Sequence, residues 1–218
     1  MFRFCLRTTL FPLLAVLPLS QVHAGVQAVH GSVTGTDGAA VADAVVFVLA
    51  PPPAPDGPRP TQVVDQVNKT FVPGLLPIVV GTSVRFPNHD QIHHHVYSFS
   101  PTKTFELPLY KGEDAPPVHF DKVGVVKIGC NIHDWMSGII LVLPSAHFAV
   151  TGADGRFVLE DLPTGAYTLV AWHALSKVKP EDTAQSVQVG PDLTDVSFKL
   201  PLAPARPRPT MHGTRAEP

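Results

Sequence analysis

Cysteine is almost missing from this 218-residue chain, which has only Cys5 and Cys130. Sustained helical patterning is missing as well: no stretch keeps an apolar period of about 3.6 residues. No basic stripe suggests a nucleic-acid partner. No glycine-rich phosphate cradle and no paired nucleophile and base stand out, which argues against an enzyme. The longest apolar run, Leu10 to Leu19, is broken by prolines and is too short to cross roughly 30 Å of hydrocarbon.

That run has another use. Met1-Phe2-Arg3-Phe4-Cys5-Leu6-Arg7 gives a basic start, and Val22-His23-Ala24 puts small residues behind the apolar core. The pattern predicts a cleavable secretory leader over residues 1–24 and an exported, periplasmic protein. Cleavage removes Cys5 and leaves Cys130 alone, so no internal disulfide is available. A lone thiol in an exported protein is either buried and inert or held as thiolate by a metal. Cleavage also takes Arg3 and Arg7 but no acid, leaving a mildly acidic chain.

What is abundant is turn chemistry, with 24 prolines and 16 glycines. Short strands between such turns predict an all-β protein. The stretch that carries chemistry is Gly129-Cys130-Asn131-Ile132-His133-Asp134-Trp135-Met136. A thiol, an imidazole and a thioether lie at Cys130, His133 and Met136 in one short loop. Thiolate, imidazole and a weak axial thioether suit copper that cycles between Cu(I) and Cu(II). Such a site needs a second imidazole, and His93-His94-His95 lies upstream. Strand alternation does not choose among these three, because His93 and His95 share a face and His94 points the other way.

Two distant segments share a pattern. Val33-Thr34-Gly35-Thr36-Asp37-Gly38 recurs as Val150-Thr151-Gly152-Ala153-Asp154-Gly155, and each Asp-Gly reads as a hairpin turn. Strands follow at Ala44 to Leu49, Arg156 to Leu159, Ala166 to Trp172, Ser186 to Val189 and Val196 to Leu200, with Leu162-Pro163-Thr164-Gly165 as a turn. Asp154-Gly155-Arg156-Phe157 with Leu162-Pro163-Thr164-Gly165-Ala166-Tyr167 resembles the carboxypeptidase regulatory-like family. That resemblance implies a transthyretin-like β-sandwich, begun by Val29 to Leu49 and interrupted by an inserted domain. Ala50 to Pro60 then reads as a semi-rigid proline spacer.

The insert, roughly Val63 to Leu143, resembles the cupredoxins. The spacing of Cys130, His133, Met136 and Gly138 is similar to the short ligand loop of amicyanins, and Gly81-x-x-Val84-x-Phe86-x-Asn88 before a His-x-Val also fits. The whole arrangement resembles exported plastocyanin-like proteins labelled as methylamine-utilization proteins. The resemblance implies a Greek-key β-barrel with one type 1 copper ion. Its ligands would be His94 (selected by the His-x-Val spacing, with His95 as runner-up), Cys130, His133 and axial Met136. Asn88 would tether the ligand loops. The expected organisation is 1–24 leader, 25–50 first sandwich strands, 51–62 linker, 63–144 copper domain, 145–202 remaining sandwich and 203–218 disordered tail.

The implied function is single-electron transfer between periplasmic redox proteins such as a c-type cytochrome or a dehydrogenase. A copper chaperone or buffer would use the same ligands. Gly129-Cys130-Asn131 lacks the histidines that flank Cys in multicopper oxidases. Asp134 stands where amicyanins typically carry proline, so an amicyanin partner does not carry over. Trp135 and Trp172 read as packing residues; His119, His147 and His173 read as surface or structural.

Overall fold

The computed structural model of the chain describes residues 26–49, 59–112, 115–192 and 194–204. The expected leader, most of the proline linker and the tail from residue 205 lie outside the described residues. The architecture is all-β, as its composition implies, and the only helix among the described residues is a short 3-10 turn, Pro180–Thr183. No helix there is long and apolar enough to cross a membrane.

The chain starts with β1 (Val26–Gly35) and β2 (Val45–Val48). It continues through β3 (Gln62–Val63), β4 (Asp65–Val67), β5 (Thr70–Val72), β6 (Leu75–Val79) and β7 (Thr82–Arg85). Next come β8 (His94–Ser100), β9 (Lys103–Tyr110), β10 (Val118–Phe120), β11 (Gly124–Gly129) and β12 (Ser137–Leu143). The last strands are β13 (Phe148–Val150), β14 (Arg156–Pro163), β15 (Gly165–Trp172), β16 (Gln185–Val189) and β17 (Thr194–Leu200).

The strands stack in layers. One sheet has the order β14-β1-β17 and faces a second, β13-β2-β15-β16. Between them lies a core that includes Val33, Val46, Val48, Leu169, Ala171 and Phe198. A five-stranded sheet, β6-β12-β11-β8-β9, faces the smaller β10-β7-β3. Their shared core includes Phe71, Phe86, Phe120, Ile140, Val142, Cys130 and Met136. A third apolar layer joins the two pairs: Val45, Phe47, Val170 and Trp172 pack against Leu141 and Leu143.

This third layer explains why three strands read as unbroken apolar runs. Along β2, Val46 and Val48 enter one core while Val45 and Phe47 enter the other. The same alternation splits Leu169 and Ala171 from Val170 and Trp172, and Ile140 and Val142 from Leu141 and Leu143. A strand buried on both faces has no polar side to show. Truncating Phe47, 6% exposed, to Ala should cost about 3–5 kcal/mol in denaturant unfolding of the apo protein. Val158→Ala, on an exposed position, should stay within about 0.5 kcal/mol of wild type.

Three local expectations need correction. The Asp-Gly turns close only short local pairings, Thr34 with Ala40 and Gly152 N–H to the Arg156 carbonyl, not hairpins of the long strands: β1 and β2 belong to different sheets, as do β13 and β14. Gly38 and Gly155 do take positive φ, 84° and 72°, but their turns carry the chain across the sandwich. The Asp37 and Asp154 carboxylates accept the N–H groups of Ala39 and Arg156 to shape them. Strand β14 also runs on through Pro163, so the turn expected over Leu162 to Gly165 narrows to Thr164. Finally, Lys103–Tyr110, which the sequence left unassigned, is the edge strand β9. An edge position tolerates Pro108 and the polar alternation of this segment.

Candidate metal centre

The thiol sits where two strands end together. β11 and β12 pair antiparallel up to Gly129 opposite Ser137, and the loop between them closes on itself. Cys130 N–H donates to the Met136 carbonyl at 3.1 Å, and Met136 N–H to the His133 carbonyl at 2.8 Å. These bonds hold the Cys, His and Met of one loop in a fixed order in space. On the other side of β11 lies β8, joined through Gly129 and Tyr97. His94 is the first residue of β8 and enters the core beside the loop.

The result is a convergence of three donors. His94 Nδ1 is 3.9 Å and His133 Nδ1 is 3.8 Å from Cys130 Sγ, and all three atoms lie within 4.8 Å of one another. Donors sharing one first-row ion, with metal–sulfur near 2.3 Å and metal–nitrogen near 2.0 Å, stand about 3.5–3.9 Å apart across ordinary bond angles. The spacing therefore fits a single ion, and a donor set of one thiol and two imidazoles fits copper. His94 is fully buried and Cys130 is 3% exposed. Met136, 2% exposed, lies in the same core as Cys130.

The imidazoles are prepared for this role. His94 Nε2 donates to Asp90 Oδ2 at 2.7 Å. A carboxylate only accepts, so the proton sits on Nε2 and the Nδ1 lone pair faces the sulfur. Burial alone would raise the Asp90 pKa, but hydrogen bonds from His94 and from the Lys69 and Asn68 amides outweigh it and hold the carboxyl below its ordinary value. Burial, then the neighbouring His94 and Lys69, pull the His133 pKa down, which favours the neutral imidazole. His133 is half-buried, and its ring meets Trp135 edge-on at 5.4 Å.

The other histidines stay apart. His95 lies on the opposite face of β8: its Nε2 pairs with Glu106 Oε1 at 2.8 Å and its ring packs on Tyr97. His93 is exposed, His89 pairs with Asp65 at 2.8 Å, and His119 lies beside Ser83. Trp172 packs between the sheets as expected, whereas Trp135 is 46% exposed and belongs to the rim of the site. Asn88 holds its own loop, donating from Nδ2 to the Ile92 and Tyr110 carbonyls. The group that touches His94 is Asp90, which looks like ordinary loop polarity in the sequence. Beside the thiol, a groove of about 420 Å³ runs along the sheet, lined by Tyr97, Phe99, Lys127, Cys130, Asp134 and Met136 among others.

No family model and no curated protein matches the sequence. Among solved structures, the chain is similar to a purple cupredoxin from Nitrosopumilus maritimus, with 28% identity over 38% of this chain and 99% of that one, at a TM-score of 0.34. It is similar to a reduced amicyanin variant at 25% identity over 38% of this chain and 81% of that one, TM-score 0.35. A copper-containing nitrite reductase from Thermus scotoductus SA-01 aligns at 27% identity, over 43% of this chain and 24% of that one, TM-score 0.37. Each likeness covers less than half of this chain.

Proposed function

We propose that the chain is an exported electron carrier with one type 1 (blue) copper ion held by His94, Cys130, His133 and axial Met136. The observation that supports this most is the meeting of two imidazole Nδ1 atoms on one buried thiol. Copper, when bound to such donors, takes up or releases one electron by passing between Cu(II) and Cu(I). Three features of the chain favour a fixed ion over an exchanged one. His94 is sealed from solvent, its ring is anchored by Asp90, and the 130–136 loop is tied by its own backbone. Ligands that do not move on redox change keep reorganisation small.

His133 gives the route outward. It is half-buried, and exposed Ile132 and Trp135 flank it with Asp134. That patch suits transient docking of a periplasmic redox protein, such as a c-type cytochrome or a dehydrogenase, bringing a basic group to Asp134. We read the outer sheets as a transthyretin-like scaffold, which the Phe47–Leu141 layer would hold rigidly against the copper domain.

Loading the mature protein with Cu(II) and recording its visible spectrum tests the reading. The expected result is an intense thiolate-to-copper band, lost in His94→Ala and kept in His95→Ala. A wild-type protein without that band would sink the carrier. Rapid surrender of Cu(I) to a chelator at stoichiometric concentration would indicate the copper buffer instead.

A further inference from the structure

We propose that Asp90 is the positioning residue of His94, and that the turn between β4 and β5 is what holds Asp90 in place. The inference rests on reading His94 as a metal ligand, and concerns how the apo chain keeps that ligand ready.

The turn is a two-residue hairpin loop. Asn68 and Lys69 both take left-handed φ, 53° and 56°, at the tip of an antiparallel pair in which Val67 opposes Thr70. Two-residue hairpin loops need positive φ at both central positions, and this places the two amides side by side. They face one carboxylate. Asn68 N–H donates to Asp90 Oδ1 at 2.6 Å and Lys69 N–H to Asp90 Oδ2 at 2.7 Å. Successive amides aimed at one point form a concavity for an anion. Asp90 fills it.

The same Oδ2 accepts His94 Nε2–H at 2.7 Å, so three donors converge on two oxygens. The loop that presents Asp90 is fixed from its other end, since Asn88 Oδ1 accepts Asp90 N–H at 3.0 Å. Asn88 N–H and carbonyl are both bonded to Gly112. The carboxylate is therefore located independently of the imidazole it meets. It imposes two conditions on His94: the ring orientation, and the tautomer that leaves Nδ1 bare toward Cys130 Sγ, 3.9 Å away. Without an acceptor at that place, a fully buried neutral imidazole would gain nothing from keeping its proton on Nε2. The alternative tautomer would point N–H at the thiol and would have to shift its proton before Nδ1 could bind a metal. Outer partners that fix a ligating histidine are commonly worth about 10–100-fold in metal affinity.

Side-chain nitrogen NMR of His94 in the apo mature protein tests this, at a pH where the imidazole is neutral, alongside copper titration. Wild type should show one tautomer with the proton on Nε2. Asp90→Ala should show a mixture or the opposite tautomer, and about 10–100-fold weaker copper binding. Asp90→Leu, of similar shape and without an acceptor, should read as Ala does, which guards against an Ala variant that fails to fold. Asp65→Ala breaks the neighbouring His89 pair in the same hairpin and should change neither reading. The proposal is overturned if folded Asp90→Ala or Asp90→Leu keeps the single Nε2–H tautomer. Should wild type show the expected tautomer change on mutation yet bind no copper, the positioning role stands and the copper reading falls.

Discussion

Replacing Cys130 with alanine is expected to abolish the visible absorption of the Cu(II)-loaded protein while leaving the apo fold in place. The thiol is 3% exposed and packs within the core of the five-stranded sheet. The loop that carries it is closed by backbone bonds, from Cys130 N–H to Met136 and from Met136 N–H to His133, and alanine makes these equally well. Loss of one buried sulfur should therefore cost only about 1–2 kcal/mol, the small end of core truncations. The effect on the ion is far larger. Two imidazoles at 3.9 and 3.8 Å from the missing sulfur retain no anionic ligand between them, so the charge transfer and most of the affinity vanish together. Visible spectra and thermal unfolding of apo protein, run on the same sample, separate the two effects. A strong visible band surviving in Cys130→Ala would remove the thiolate from the site.

A loss of stability comparable to that of Phe47→Ala is expected from Gly31→Ala, far from the candidate metal centre. Gly31 lies in β1, the middle strand of its sheet, opposite Phe157 on one side and Val196 on the other. A Cβ there would fall 2.1 Å from the Val196 carbonyl oxygen and 2.5 Å from the Phe157 ring. The ring could tilt. The carbonyl belongs to the parallel ladder between β1 and β17, and moving it breaks the strand pairing that closes the sandwich core. Overpacking of this severity reaches about 3 kcal/mol or more, or a fall of about 6–12 °C in midpoint for a chain of this size. Gly190→Ala is the matched control, since nothing lies within 4 Å of its added Cβ. A Gly31→Ala midpoint as close to wild type as that of the control would contradict the close approach of β1 and β17.

The two substitutions mark what was legible and what was not. The ligand loop could be read directly because Cys130, His133 and Met136 are local: seven residues of chain keep them together whatever the rest does. All-β architecture was legible for a similar reason, since turn residues and short apolar runs act over a few positions. The choice between His94 and His95 came only through the His-x-Val spacing of the family resemblance; the residues themselves left it open. In β8, His94 shares a face with Val96 and Ser98, while His95 shares one with Tyr97 and Phe99. By side chain alone the aromatic face looks like the interior. The fold does the reverse: Phe99 is 77% exposed and His94 is fully buried. Only the register of β8 against β11 at Tyr97 and Gly129, and the irregularity against β9 between His94 and Val96, settle which face meets the thiol.

Asp90 shows the same limit from another side. Its partners, Asn68, Lys69 and His94, come from a hairpin tip and a strand start that nothing in the sequence links. The Asp-Gly turns likewise have glycines with positive φ, as local chemistry requires, yet the sheets they connect are set by where the chain buries its apolar faces. Sequence by itself determined the donors of the short loop and most of the turns and strands, because those follow from forces acting over a few residues. Tertiary structure alone decided which imidazole reaches the sulfur and which carboxylate holds it, because a strand offers two faces and only its neighbours decide which is inside.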